Sequence, residues 1–509
     1  MAALKTLTGA PLLVVGAGIM GAGIAQWAAL AGHPVAMHDA REGAAAAAIS
    51  KLAGTLDTLV AKGRLQAEAA QAALARITPL AQLEGAAGSA LVVEAIVEDL
   101  AAKRALFAAL ERIVSPTCVL ATNTSSISVT AIAAGLQQPG RLVGMHFFNP
   151  VPLMKLVEVV SGLQTDAAVA EAVFDLACAW GKVPVHARST PGFIVNRIAR
   201  PYYAEALALL LERAATPAQL DACLRAAGFR LGPCELMDLI GHDTNLAVTR
   251  SVFEAFFFDR RFTPSPLQRE MVDGGLLGRK SGRGFYVYPE GPAALPVAVH
   301  EAPSTAREVS VHGEGPIGDA LEQAATQALA AQGWGPQRRQ GSGWTGLEVD
   351  GARLVLTDGR SARAVAAATG IADLAVFDRP LQQPMAPGSA LAYALAPNAS
   401  QSWQAQAPAW LHALGFTPLR LADAPGLVVA RTVAMLINEA SDAVLQGVCS
   451  PEGADAAMQL GVNWPRGPFD WLRSWDSAGV AAVIAALDNT YRGERYRLSP
   501  NLERGTWAN

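Results

Sequence analysis

A histidine and a glutamate stand where apolar side chains are expected. In GMHFFNPVPLMKLVEVV, residues 144–160, two apolar runs predict buried strands; His146 ends the first run and Glu158 interrupts the second. Burying an unpaired carboxylate costs several kcal/mol, which is comparable to the stability of a whole domain. If the runs form neighbouring strands joined through Pro150-Val151-Pro152, the two side chains lie side by side. An imidazole held by a carboxylate can act as a general base.

The spacing of these two residues also allows a purely structural interpretation. His146 could be a core histidine with satisfied nitrogens, and Glu158 could lie at a strand edge. Metal binding is not predicted, because no third ligand stands at a recognisable spacing.

A glycine pattern near the N-terminus predicts a dinucleotide site. In PLLVVGAGIMGAGIAQWAALAGHPVAMHDA, residues 11–40, an apolar run turns through glycines into a helical segment, and a second apolar run ends in an acid. Gly16 permits the tight turn, Gly18 lets the backbone approach a pyrophosphate, and Gly21 lets the helix pack close to its strand. The acid is Asp39, and its distance from the glycines along the chain is typical of a residue that binds ribose hydroxyls.

Asp39 favours NAD over NADP, because a carboxylate repels a 2′-phosphate. Arg41 weakens this preference, since a nearby arginine can bind such a 2′-phosphate. The structural alternative for Asp39 is a turn residue after a strand.

Two later apolar runs break into polar residues at their C-terminal ends. They are ALVVEAIVEDL, residues 90–100, and CVLATNTSSIS, residues 118–128. Because ligands of doubly wound sheets bind outside the carboxyl ends of the strands, Glu98, Asn123 and Ser125 are predicted at that edge. A helix N-cap is the alternative for Glu98 or Ser125, and a turn is the alternative for Asn123.

The motifs together resemble the L-3-hydroxyacyl-CoA dehydrogenases of β-oxidation over about residues 1–290. The resemblance rests on the glycine pattern followed by NTSSIS (123–128), HFFNPVPLMKLVEVV (146–160), TPGFIVNR (190–197) and GLLGRKSGRGFYVY (275–288). It implies an NAD-dependent oxidation of (S)-3-hydroxyacyl-CoA to 3-oxoacyl-CoA.

The resemblance also implies a role for each matching position. His146 would be the base and Glu158 its orienting partner. Ser125 and Asn196 would hydrogen-bond the substrate near the reacting oxygen, and Asn149 would line the same site. The positions expected at the cofactor, besides the glycines and Asp39, are Glu98, Lys103, Asn123 and Lys280. Thr55 and Lys62 fall where the family has a serine and a lysine contacting the nucleotide end of CoA.

The second half of the chain contains a repeat. APGLVVARTVAMLINEA, at 424–440, repeats TPGFIVNRIARPYYAEA, at 190–206, and Gly313-x-Gly315-x-x-Gly318 forms a second glycine pattern upstream. The repeat lacks counterparts of HFFNP and LVEVV, and Ala430 matches Asn196. A structural role is therefore expected for it. Whether its glycine loop binds a nucleotide is open, and Pro316 argues against binding because it removes an amide donor.

The expected fold is an α/β Rossmann-like NAD-binding domain followed by an all-α domain, with a second degenerate Rossmann-like plus all-α copy. The predicted domains are 1–189 (NAD-binding), 190–288 (helical), 289–306 (linker), 307–420 (degenerate Rossmann-like) and 421–509 (second helical).

Composition narrows the class of protein. The chain has 509 residues, 51% hydrophobic and 17% charged, with a formal charge of −4 and no long basic run, so nucleic-acid binding is not expected. Five cysteines without a C-x-x-C pair suggest reduced thiols in the cytoplasm. Apart from the glycine-containing stretch 11–31, no run of membrane length is expected. Helical domains of this family usually dimerise, so a homodimer is expected.

The two helical domains, without an enoyl-CoA hydratase region, resemble the bacterial family members of phenylacetate degradation, which oxidise 3-hydroxyadipyl-CoA. A 3-hydroxybutyryl-CoA dehydrogenase is the main rival, and a basic residue deep in the acyl pocket would discriminate the two. A catalytically silent NAD-binding structural protein is the rival of another class. The intact set of His146, Glu158, Ser125 and Asn196 argues against it. An NAD-dependent dehydrogenase with a lysine base is not supported by any motif.

Overall fold

The computed structural model describes residues 7–293, 295, 303, 306–330, 333–381 and 388–505. The chain divides into two compact units, one made of Met1–Arg197 with Ala443–Val462 and the other of Ile198–Asp442 with Asn463–Asn509. Much of the predicted linker, namely 294, 296–302, 304 and 305, lies outside the described residues.

A sheet of eight strands forms the centre of the first unit. Its strands are β1 (Leu12–Val15), β2 (Val35–His38), β3 (Ile77–Pro79), β4 (Leu91–Glu94), β5 (Val119–Thr122), β6 (Leu142–Phe147), β7 (Leu156–Ser161) and β8 (Val183–Arg188). The order is β3-β2-β1-β4-β5-β6-β7-β8, and all neighbours are parallel except β6 and β7. The fully buried apolar runs of β1, β4 and β5 are typical of parallel strands covered on both faces. The predicted Rossmann-like fold is confirmed.

Helices connect these strands. They are α1 (Ile19–Leu30), α2 (Ala44–Ala61), α3 (Ala67–Ala75), α4 (Leu100–Ile113), α5 (Val129–Ala133) and α6 (Ala167–Ala179). A short helix, α7 (Val195–Ile198), follows β8. Within the described residues, α2 is the one helix long and apolar enough to cross a membrane, a run that the sequence analysis did not expect. This is weak evidence for a membrane span, because Ala45, Ala48 and Leu52 of α2 recur at helical spacing and join the core of the first unit.

After α7 the chain forms a group of helices, then a mixed region of strands and helices, and then a second group of helices. Its strands are β9 (Val309–His312), β10 (Gln337–Arg339), β11 (Gly346–Val349), β12 (Ala352–Leu356), β13 (Leu374–Phe377), β14 (Ser389–Leu395) and β15 (Phe416–Arg420). Its helices are α8 (Arg200–Leu211), α9 (Pro217–Ala226), α10 (Pro233–Ile240), α11 (His242–Ala255), α12 (Pro266–Asp273), α13 (Gly315–Leu329), α14 (Ala362–Thr369), α15 (Gln401–Ala413), α16 (Val429–Leu445), α17 (Pro451–Gly461), α18 (Pro468–Trp475), α19 (Ser477–Tyr491) and α20 (Pro500–Arg504).

The second unit contains the expected abridged Rossmann-like copy. Its seven strands follow the order β10-β9-β11-β12-β13-β14-β15. β9 turns into α13 through Gly313 and Gly315, whose φ angles of +99° and +74° favour glycine. In contrast to the first sheet, the inserted strand β11 is antiparallel to both β9 and β12.

A proline interrupts the repeated helix in the first copy but not in the second. In the first copy, α7 ends at Ile198 and α8 starts at Arg200, with Pro201 in the first turn of α8. When the two repeated segments are aligned, Met435 takes the place of Pro201, and α16 of the second copy runs without interruption. A proline cannot donate a backbone hydrogen bond and clashes with the preceding turn, which explains the break in the first copy.

Two ion pairs in the second unit join the helical copies symmetrically. Arg261 of the first copy pairs with Glu439 of the second at 3.4 Å, and Arg495 pairs with Glu205 at 3.0 Å. In the same alignment of the repeats, Arg495 is the counterpart of Arg261, and Glu205 is the counterpart of Glu439. Such reciprocal contacts characterise the interface of a two-fold symmetric dimer, here made within one chain.

Candidate active site

His146 and Glu158 face each other across two strands. The antiparallel register of β6 and β7 places His146 opposite Glu158. His146 Nδ1 lies 2.6 Å from Glu158 Oε2, and the two residues are only 5% and 1% exposed. The rings of Phe148 and Phe193 pack against the imidazole, with centroid distances of 4.6 and 5.8 Å. The pair is therefore held in apolar surroundings, where interactions between charges are strengthened.

The second oxygen of Glu158 caps the turn that follows β8. Oε1 accepts hydrogen bonds from the backbone amides of Ile194 and Val195, both at 3.0 Å. The backbone of the preceding Phe193 is left-handed, with φ of +47°. Asn196 comes next, half-buried in α7, so the turn that satisfies Glu158 also fixes Asn196.

A segment from the far end of the chain supports this turn. Within the first unit, α17 packs on β7 and β8, and Arg197 Nη1 donates to Gln446 Oε1 at 2.8 Å. A Cβ atom on Gly461 would come within 3.0 Å of the Val195 side chain. The sequence offered no signal for these contacts, because they join residues that lie far apart in the chain.

Glu98 and Ser125 meet at the carboxyl ends of β4 and β5, as the sequence analysis expected. Glu98 Oε1 accepts from the amide of Ser125 at 2.9 Å, from its hydroxyl at 3.2 Å and from Thr124 Oγ1 at 2.7 Å. The pKa of Glu98 is lowered: burial opposes ionisation, but the Thr124 hydrogen bond and the positive charge of Lys103 outweigh it.

Lys103 is buried beneath this edge between two glutamates. Its side chain is 1% exposed, and Nζ lies 2.6 Å from Glu94 Oε1 and 3.2 Å from Glu98 Oε2. Glu94 also accepts from Thr122 Oγ1 at 2.6 Å and from the amide of Ile96 at 2.8 Å. The structure thus places Lys103 behind Glu98, whereas the resemblance implied a direct contact with NAD. The sequence analysis missed Glu94, although it is an acid that ends a strand at the binding edge.

The two predicted asparagines occupy different environments. Asn123 Oδ1 accepts from the amide of Phe147 at 2.8 Å, which ties the end of β5 to the end of β6 beside His146. Asn149 is exposed in the segment between β6 and β7.

The glycine loop has the close contacts that its motif requires. Gly16 has φ of +107°, and a Cβ atom there would collide with the carbonyl of Ala95. A Cβ atom on Gly21 would collide with the carbonyl of Gly16, whereas at Gly18 it would meet nothing within 4 Å. The loop therefore leaves open space at Gly18.

Asp39 follows β2 beside this loop. Its Oδ2 accepts from the amide of Ala17 at 2.8 Å, and its Oδ1 accepts from Arg41 Nε at 3.0 Å. The hydrogen bonds from Arg41 hold the pKa of Asp39 well below its usual range. Arg41 is thus paired with the acid that would bind ribose.

The remaining predicted residues lie on helices and turns. Thr55 and Lys62 are exposed two helical turns apart, on α2 and at its C-terminal end. Lys280 belongs to the second unit, where its Nζ pairs with Asp243 at 2.5 Å. No group of three or more metal-ligating side chains occurs in the part of the chain that the structure describes.

Comparison with known proteins identifies the family. Residues 12–190 match the model of the 3-hydroxyacyl-CoA dehydrogenase NAD binding domain. Residues 192–288 and 426–508 both match the model of the C-terminal domain of the same family. The chain belongs to the 3-hydroxyacyl-CoA dehydrogenase family. Residues 354–425 of this dehydrogenase match a 3-hydroxybutyryl-CoA dehydrogenase reduced Rossmann-fold domain.

Individual relatives cover different shares of the dehydrogenase. A 3-hydroxyadipyl-CoA dehydrogenase from Escherichia coli is 43% identical over 95% of this chain and 94% of the relative. A probable 3-hydroxybutyryl-CoA dehydrogenase from Bacillus subtilis is 42% identical over 55% of this chain and 97% of the relative. A solved structure of 3-hydroxybutyryl-CoA dehydrogenase from Escherichia coli K12 is 40% identical, has a TM-score of 0.86 and covers 99% of each chain.

The cofactor of the dehydrogenase is NAD, and the residues of the first unit fit it. The open space at Gly18 allows a pyrophosphate to approach the backbone, and the absence of side chains at Gly16 and Gly21 lets strand and helix meet closely. Asp39 stands at the end of β2, where a ribose-binding acid belongs.

We predict that Lys103→Met destabilises the dehydrogenase by about 3–5 kcal/mol, because it leaves the buried Glu94 without a cation. The double variant Glu94→Gln/Lys103→Met should regain most of this loss, since it removes both charges. Urea unfolding measures the free energy, with exposed Lys51→Met as the control. Equal unfolding midpoints for Lys103→Met and the unsubstituted chain would show that the ion pair contributes nothing.

Proposed function

We propose that His146 is the general base of this dehydrogenase and that Glu158 orients it. The observation that carries the proposal is the 2.6 Å contact between Nδ1 and Oε2. With Nδ1 bound to the carboxylate, Nε2 is the ring nitrogen available to a substrate hydroxyl. The two amides on Oε1 keep Glu158 in place while the imidazole takes up a proton.

The proposed chemistry is proton removal coupled to oxidation at C3 of the substrate. Bound NAD+ supplies the acceptor of the hydride. His146 takes the proton of the 3-hydroxyl group, and Glu158 stabilises the resulting imidazolium. Ser125 and Asn196 are proposed to donate hydrogen bonds to the substrate oxygen. The Ser125 hydroxyl can turn to the substrate without loosening the loop, because its amide stays bound to Glu98.

The roles of the other site residues are proposed from the family resemblance, and the placement of some of them adds support. Glu98 and Asn123 lie at the carboxyl edge where the nicotinamide half of NAD would bind, and Lys103 acts through Glu98. Asn149 is proposed to line the substrate site, and Lys280 to contact the cofactor. Thr55 and Lys62 are both exposed, and they are proposed to contact the nucleotide end of CoA.

We propose 3-hydroxyadipyl-CoA as the substrate, with a role in phenylacetate catabolism. The support is the Escherichia coli relative of that name, which aligns over 95% of this chain including the second copy. A 3-hydroxybutyryl-CoA substrate is the alternative, favoured by the name of the solved structure that covers 99% of the chain. The two substrates differ by a terminal carboxylate.

A cytoplasmic location is also proposed. All five cysteines are free. Burial raises the pKa of Cys118 and of Cys449 to about 12, so these thiols stay protonated and unreactive. Unreactive buried thiols suit a reducing compartment.

Substitution of either member of the pair should reduce turnover without abolishing NAD binding. His146→Gln removes the base and Glu158→Gln removes its orienting charge, so we expect kcat to fall on the order of 10²–10⁴-fold in each. Steady-state kinetics of NADH formation measure the effect, and circular dichroism checks the fold. The exposed pair of His186 and Glu171 offers a control, because Glu171→Gln should leave kcat unchanged. Full activity of His146→Gln would mean that another group removes the proton.

The acyl specificity can be decided by competing substrates. We expect kcat/KM for (S)-3-hydroxyadipyl-CoA to exceed that for (S)-3-hydroxybutyryl-CoA at least about tenfold, which corresponds to about 1.4 kcal/mol of transition-state discrimination. A preference for the butyryl substrate would replace the proposal by its alternative. Failure to oxidise either substrate would contradict both.

A homodimer is proposed as the assembly, although the helical copies already pair within the chain. The support is apolar surface in the second unit, where Phe257 and Phe258 are 91% and 62% exposed. Size-exclusion chromatography with light scattering should give twice the chain mass of 53.0 kDa. A particle of 53.0 kDa would show that the internal pairing replaces the partner.

A further inference from the structure

A large cavity opens beside the second sheet. Its volume is about 910 Å³, within the range of small-molecule sites. One side is formed by the second glycine loop, residues 314–317, and by Leu356 and Arg379 at the carboxyl ends of β12 and β13. The segments 465–466 and 471–476 of the second helical copy form the other side. This is the edge at which doubly wound sheets bind ligands.

Positive charge exceeds negative charge on the cavity wall. The arginines that line it are Arg379, Arg466 and Arg473, and the carboxylates are Glu314 and Asp476. Asp476 is engaged in capping α19, because it accepts a hydrogen bond from the amide of Gly479. Arg473 pairs with Asp470, whereas Arg466 donates to the Ser474 hydroxyl and to the carbonyl of Asp470. Among the described residues Arg466 forms no salt bridge, although the nearby Asp470 carboxylate acts on its charge.

Arg379 forms no salt bridge within the described part of the chain, although the carboxylates of Asp476 and Asp378 act on its charge from nearby. Its Nε is buried without a hydrogen-bond partner, and its guanidinium lies 4.3 Å from the centroid of the Trp475 ring. The adjacent carboxylate of Asp378 is occupied by backbone amides, among them those of Val428 and Val429 at 2.9 and 2.7 Å. Burial lowers the pKa of Arg379 to about 10, because the opposing effect of the Asp476 and Asp378 carboxylates is smaller.

The loop does not suit a dinucleotide. Pro316 removes one amide donor, and a Cβ atom on Gly318 would meet the Arg338 guanidinium at 2.7 Å. β10 is followed by Gln340, not by an acid that could hold ribose hydroxyls. The second glycine loop therefore lacks the features by which the first glycine loop suits NAD. The loop nevertheless borders the cavity without filling it.

We propose that this cavity binds a phosphate-bearing small molecule, smaller than a dinucleotide, through Arg379 and Arg466. A guanidinium matches the geometry of phosphate oxygens and can donate two parallel hydrogen bonds. The Trp475 ring holds the Arg379 guanidinium in place before a ligand arrives.

Titration calorimetry of the full chain tests the proposal. The chain is saturated with NAD+ to fill the first site and is then titrated with ADP and, separately, with inorganic pyrophosphate. We expect saturable binding of at least one of these probes, weakened at least about tenfold in Arg379→Met. The exposed Arg363→Met, which lies outside the cavity wall, is the control and should bind as the unsubstituted chain does.

Arg466→Met is the second test variant, so that a folding defect of Arg379→Met cannot hide the answer; it should weaken binding as well. Absence of saturable binding of both probes to the unsubstituted chain would overturn the proposal. Binding that both cavity variants retain would also overturn it, because the probe would then occupy another site, such as that of CoA. Oxidation of the acyl-CoA substrate is measured separately and does not depend on this outcome.

Discussion

The buried carboxylate of Glu158 is the constraint on which the site in the first unit depends. Such a group is tolerated only if both oxygens have partners, and here His146 Nδ1 takes one while the amides of Ile194 and Val195 take the other. Meeting that requirement fixes the register of β6 against β7 and the left-handed turn at Phe193. The need to pair one buried carboxylate therefore fixes both the alignment of β6 with β7 and the start of α7.

In the second copy a buried carboxylate still accepts hydrogen bonds from the start of a helix, but no histidine in the described part of the chain is paired with it. When the repeat is extended back to the preceding strands, the pairing of Ala392 with Leu419 matches that of Glu158 with Val185, so Ala392 occupies the place of Glu158. The amide of Asp378 bonds to the carbonyl of Ala392, which puts Asp378 opposite it, in the place of His146. Asp378 accepts hydrogen bonds from the amides that open α16. A carboxylate still caps the helix, but from the neighbouring strand and with no imidazole.

Sequence reasoning succeeded where local chemistry dictates the structure. The pairing of His146 with Glu158 was predictable because a charged residue in a buried strand must find a partner, and the glycine loop because its spacing follows from one strand–turn–helix unit. The break at Pro201 could have been predicted from the missing amide. The burial of Lys103 against Glu94 could not have been predicted. Whether a lysine on an amphipathic helix is exposed or buried depends on what the helix packs against, which the local sequence does not show.

The same limit explains why the sequence analysis expected a structural role for the second copy without saying which contacts provide it. That copy lacks counterparts of His146 and Asn196, but its residues 443–462 belong to the first unit. There α17 covers β7 and β8, and Gly461 lies against Leu156, which precedes Glu158 on β7, and against Val195, whose amide binds that carboxylate. Any side chain at position 461 would displace these contacts, with a Cβ atom only 2.7 Å from Leu156 Cδ2. The second copy thus helps to hold in place Glu158, the partner of a histidine for which it has no counterpart.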